Sequence, residues 1–191
     1  MKKISVLFAA ATLALCAQAD IIPTLSSITP DGSDFQWNYS VNVTVDQRVE
    51  AGDYFTIYDF RGLIPGSNTE PANWIFTSAL LGVTPPTVLP ADDPTAFNLT
   101  WTYSGQDVIL GQMFLGTFSV LAMTDQSTTA NFTAHATRSS GPDIGTKIDN
   151  IGVVSVPVPE MSALAPLVGI GALSLASFAF SVWRRRGSSV A

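Results

Sequence analysis

From Phe35 to Asp46 the chain reads FQWNYSVNVTVD, and its apolar and polar residues alternate without a break. Phe35, Trp37, Tyr39, Val41, Val43 and Val45 fall on one side; Gln36, Asn38, Ser40, Asn42, Thr44 and Asp46 fall on the other. Successive side chains of a β-strand point to opposite faces, whereas a helix needs apolar residues three and four apart. The stretch is therefore fixed as a half-buried strand, and a chain built on it needs a second layer to cover its apolar face.

AFNLTWTYSG repeats the pattern, with Phe97, Leu99, Trp101 and Tyr103 opposed to Asn98, Thr100, Thr102 and Ser104. DYFTIYDF, MFLGTFSVLAMT, TANFTAHATR and TKIDNIGVVSV carry weaker versions. Between them, RGLIPGSNTEPAN and GVTPPTVLPADDPT hold the prolines and glycines that interrupt a ladder. Short strands with one polar face, and no helical period between the two ends of the chain, predict an all-β fold: an antiparallel β-sandwich of jelly-roll or immunoglobulin-like topology. Trp37 and Trp101 belong to the buried faces.

Both ends of the 191-residue chain read differently from this middle. Lys2 and Lys3, an apolar run from Ile4 to Ala14, and Ala17-Gln18-Ala19 form the three parts of a secretory signal peptide, with cleavage after Ala19 and a mature start near Asp20. The apolar run is too short for an anchor, and Leu15 before Cys16 is not the small residue a lipoprotein signal carries. Cys16 is the sole cysteine, so a mature chain has no disulfide framework, thiol nucleophile or cysteine-ligated metal.

At the other end, Met161 to Trp183 are 23 residues without a charge, followed at once by Arg184, Arg185 and Arg186. At about 1.5 Å per residue a helix of this length spans the roughly 30 Å of a bilayer core. Arginines after the span place the tail in the cytoplasm and the body outside. The expected organisation is a signal peptide (1–19), a β ectodomain (20–155), a proline-rich stalk (156–160), a transmembrane helix (161–183) and a short basic tail (184–191). In the stalk, Pro157 and Pro159 favour extended backbone and are expected to end the sheet.

Charge is segregated in the same way. All fifteen acids lie between Asp20 and Glu160, where the cations are Arg48, Arg61, Arg138 and Lys147, a balance of −11. Such a body repels nucleic acid, which is excluded as a partner.

Pro159-Glu160, the uncharged span to Trp183 and the arginines 184–186 resemble the PEP-CTERM sorting signal of exported bacterial proteins. Met161 stands where that signal carries a second proline. The resemblance implies an exosortase-type membrane transpeptidase as partner, cutting near the motif, and a setting of exopolysaccharide. GDYFTIYDFRG, NWIFTS, PPTVLPADDPTAFNLTWTYSG and GTKIDNIGVVSVPVPE resemble ectodomains that recur with this tag, which implies secretion and a β fold but no activity. The expected function is a non-enzymatic component of the cell envelope or extracellular matrix; a surface carbohydrate-binding module is the alternative, and a hydrolase the third reading.

Candidates for chemistry are few. His135 is the sole histidine, no G-x-S-x-G elbow is present, and the strand pattern puts His135 on a polar, solvated face with Asn131 and Thr133. A histidine metal site lacks partners, and no cofactor is implied. Carboxylate pairs are conceivable at Asp92-Asp93 and between Asp53 and Asp59; the first are weak Ca²⁺ ligands, better read as a turn cap before Pro94. Trp74, next to a loop, is the more open aromatic for stacking on a sugar ring. Four N-x-S/T triplets, at Asn38, Asn42, Asn98 and Asn131, fall on polar faces rich in Asn and Thr and carry no further implication.

Overall fold

The computed structural model describes residues 21–158, and these form ten antiparallel strands. They are β1 (Ile21–Asp31), β2 (Asp34–Val43), β3 (Gln47–Val49), β4 (Tyr54–Phe60), β5 (Trp74–Ala79), β6 (Phe97–Tyr103), β7 (Ile109–Leu110), β8 (Met113–Ala122), β9 (Ser127–Arg138) and β10 (Lys147–Pro157). The expectations on Ala17 and Ala19, Pro159 and Glu160, the span and Arg184 to Arg186 lie outside the described residues. Among the described residues no helix is long and apolar enough to cross a membrane.

The smaller sheet has the order β1-β2-β8. The larger runs β5-β6-β4-β9, with β10 on the far side of β9 and β3 following β4 along β9 with β7 beside it. The two sheets face each other across one core, the arrangement of a β-sandwich. Trp37, Tyr39, Val41 and Val43 enter it from β2, and Phe118 and Val120 from β8. Phe55 and Ile57, Leu99 and Trp101, Phe132 and Ala134, and Val154 and Val156 meet them from β4, β6, β9 and β10. The alternation thus sorts as read, except at two ends: β2 ends at Val43 and Val45 is 58% exposed in the turn beyond it, and Phe97, the first residue of β6, is 36% exposed. Phe55 anchors an aromatic centre, 5.1 Å from both Trp101 and Phe118 between ring centroids. Burial of each such ring contributes about 2–3 kcal/mol.

Two details depart from the sequence reading. β1 is a full strand despite Pro23 and Pro30, because among the described residues it is an edge whose outer side pairs with no other strand. Its hairpin to β2 closes through Gly32 at φ 63°, the positive value a type II′ turn requires at its first central residue. Likewise, β10 continues through Val156, fully buried, to Pro157 opposite Ser127, so the proline-rich stalk starts later than residue 156. The amide of Val158 donates to the Gln126 carbonyl at 3.0 Å. Amides alternate sides along a strand, so the missing N–H of Pro157 falls on the free edge, where it costs no ladder bond.

Candidate functional site

The outer face of the larger sheet is lined by hydroxyls and amides: Thr56 and Tyr58 on β4, Asn98 and Thr100 on β6, Asn131, Thr133, His135 and Thr137 on β9, and Asp149 on β10. The sequence reads this face as solvated. Instead Thr56, Thr100 and Thr133 are buried, because the proline-rich segment 80–96 lies across them as a strap. Its prolines prevent it from pairing as a strand, so it is held by side chains.

The stitching runs along the whole strap. Thr56 Oγ1 and the Tyr58 hydroxyl donate to the Val83 carbonyl at 2.8 and 3.0 Å. Thr56 also shares a 2.9 Å hydrogen bond with Thr100, and Tyr58 bonds to Thr84 and Thr133. The amide of Ala91 donates to Asn131 Oδ1 at 2.8 Å. Asn98 donates to the Leu80 carbonyl and to Asp92 Oδ1, and accepts from the amide of Asp59. Burial pushes the Tyr58 hydroxyl above its ordinary pKa despite the bonds to Thr133 and Thr84, so it remains a donor to the strap.

His135 sits at one margin of this cover. Its side chain is only 20% exposed, its ring stacks on Tyr54 at 5.4 Å, and Nδ1 lies 2.5 Å from Asp149 Oδ1. The other Asp149 oxygen accepts the amide and hydroxyl of Thr87 at 3.0 and 2.7 Å. Burial raises the Asp149 carboxyl, but the bonds from Thr87 and His135 outweigh it and hold its pKa below the ordinary value. Tyr54 is pushed up to about 12, first by burial and then by the Asp149 charge. The solvated reading of His135 is thus corrected: it is a half-buried partner of Asp149, the carboxylate that ties β9 and β10 to the strap. Thr87 and His135 both bond Asp149 rather than each other, so the arrangement orders no hydroxyl for attack.

The carboxylates paired on sequence are rearranged. Asp53 and Asp59 stand at opposite ends of β4. Asp53 is fully buried and binds Lys147 Nζ at 2.5 Å and Thr137 Oγ1 at 3.0 Å. Asp59 instead joins Asp92 and Asp93. It adopts φ 58° at the irregularity between Ile57 and Phe60, and its Oδ1 accepts the amide of Asp93 at 2.7 Å. Asp93 caps its own turn through the Thr95 hydroxyl and amide and pairs with Arg61. The Thr95 hydroxyl bond, with the Thr95 amide and Arg61, lowers its pKa. Asp93 is therefore engaged as a turn cap while Asp92 Oδ1 accepts from Asn98, and among the described residues no cluster of His, Cys, Asp and Glu is arranged to hold a metal.

Arg61 divides two open clefts at the end of the sandwich where β10 leaves. One, of about 280 Å³, is lined by Phe60, Leu63, Ala96, Phe97 and Met123; the other, of about 220 Å³, by Asp59, Asp93, Thr128, Thr129 and Pro157. Trp74 is in neither. It is 7% exposed and packs edge-on against Phe118 at 5.1 Å, so the expectation of an open aromatic is corrected. Its neighbour Asn73 turns at φ 68° and drives the ring inward at the first position of β5.

No protein-family model, curated protein or solved structure matches this chain. The fold and face define an all-β sandwich with a strapped polar sheet.

Proposed function

We propose that this chain is an exported, membrane-anchored component of the cell envelope or extracellular matrix, non-enzymatic, presented near exopolysaccharide and handled through its PEP-CTERM-like signal by an exosortase-type membrane transpeptidase. The observation that carries this reading is the C-terminal junction: Pro159-Glu160, an uncharged run to Trp183, then Arg184 to Arg186. The end of the last strand supports it: β10 stops at Pro157, two residues before the motif.

The packing of the body bears on the two alternatives. Trp37, Trp74 and Trp101 all point into the core, so a sugar-stacking row would have to be built from other residues. The bonds of His135 and Asp149 support the strap, and a hydrolase would need a nucleophile that this pair does not address.

Fractionation of cells that express the full chain and contain no exosortase tests the anchoring. The expected result is a membrane-bound protein resistant to high-salt washing, digestible by protease from the extracytoplasmic side, and released as a soluble body when Met161–Ala191 is deleted. Solubility of the full chain overturns the reading.

A further inference from the structure

The edges of the two sheets are not defended alike. β1 carries Pro23 and Pro30 and a register irregularity between Leu25 and Ser27. β8 is covered by the segment after β4, which bridges it at Leu63–Ala122 and Thr69–Ser119. β10 carries Lys147 and Pro157 and lends its Ser155 carbonyl to the Tyr39 hydroxyl at 2.9 Å. β7 is two residues long. Each of these devices blocks the addition of another strand.

β5 has none of them. It pairs with β6 over six residues without a register shift, and among the described residues it has no partner on its other side. It holds no proline or charge, and it lies in the longest uncharged run of the described residues, 71–91. Ile75, Leu80, Leu81 and Val83 are 54, 47, 75 and 49% exposed. An open backbone edge flanked by exposed apolar side chains is a template for β-pairing.

We propose that β5 is a self-association edge, at which a second copy of this chain adds its own β5 antiparallel and joins the two larger sheets into one. Charge selects this occupant and place. Residues 21–158 hold thirteen acids against four cations, so two copies repel one another over most of their surfaces. The 71–91 run carries no charge into such a contact. Two identical strands pairing antiparallel are self-complementary about a two-fold axis, the closed form that most homodimers take. Opposed residues in an antiparallel pair share a face, so the axis passes between one residue and its own copy, and near the centre of β5 the exposed Thr77 takes that place. The inference uses only the fold and stands apart from the sorting signal.

The test uses the full chain in detergent, with Cys16→Ser so that an introduced thiol is the sole one. Thr77→Cys, on an exposed position beside the axis, is expected to give a disulfide-linked dimer under mild oxidation. Ser33→Cys, equally exposed at the β1–β2 hairpin tip, is expected to remain monomeric. Thr77→Lys brings like charges together across the axis and is expected to raise the dissociation constant from sedimentation by about tenfold or more, with the melting temperature of the monomer unchanged. Failure of Thr77→Cys to cross-link, equal cross-linking at Ser33→Cys, or association that Thr77→Lys leaves intact each overturns the proposal.

Discussion

Asp149 and His135 meet at 2.5 Å between Oδ1 and Nδ1, and the second oxygen of the same carboxylate holds the amide and hydroxyl of Thr87. One acidic side chain thus ties β9, β10 and the strap. Its folded pKa lies below its ordinary value of 3.8, so the unfolded chain binds the proton more readily. The stability this carboxylate contributes is complete above its unfolded pKa and is lost as pH falls through the lower folded one. Melting temperature is expected to fall with acidification below about pH 4, and Asp149→Asn to flatten that dependence. At neutral pH the same substitution is expected to cost about 1–3 kcal/mol in denaturant unfolding.

The Tyr58 hydroxyl touches the Val83 carbonyl, Thr84 and Thr133. Tyr58→Phe leaves the ring in place and removes these ties, at a cost of about 1–2 kcal/mol. Hydrogen exchange is expected to quicken in 80–96 and to leave β2 unchanged. Uniform quickening across both sheets would show that the strap does not open by itself.

Trp74 packs against Phe118, Phe55 and Tyr103. Trp74→Ala is expected to lower stability by about 3–5 kcal/mol. A variant that melts like the parent would place the indole at the surface and reopen its use as a sugar platform.

Gly152 stands opposite Phe132, and a Cβ at that position would lie 2.5 Å from the ring. Phe132 is buried in the core and has little room to move. Gly152→Ala is expected to destabilise by about 1–3 kcal/mol, and Gly152→Ala with Phe132→Leu to recover part of the loss. An additive double variant in thermal unfolding would show that the two sites do not conflict.

What the sequence made legible was the inward half of each strand. Trp37, Tyr39, Leu99 and Trp101 declared their faces because burial of one side imposes a two-residue period. The outward half was not legible, since Thr56, Thr100 and Thr133 look the same whether water or a strap satisfies them. β1 was hidden by Pro23 and Pro30, whose effect depends on whether a strand lies at an edge, and Pro157 raised the same ambiguity at β10. Asp59 read as a partner of Asp53 because they are near in sequence. Five residues of extended β4 separate them, and the bend at Asp59 turns it toward Asp93.

Intact-mass analysis of the protein recovered from cells that contain an exosortase tests the proposed role most directly. The expected product begins at Asp20 and has lost the segment from Met161 to Ala191, whereas a mature chain that retains that segment would contradict processing at the Pro159-Glu160 junction.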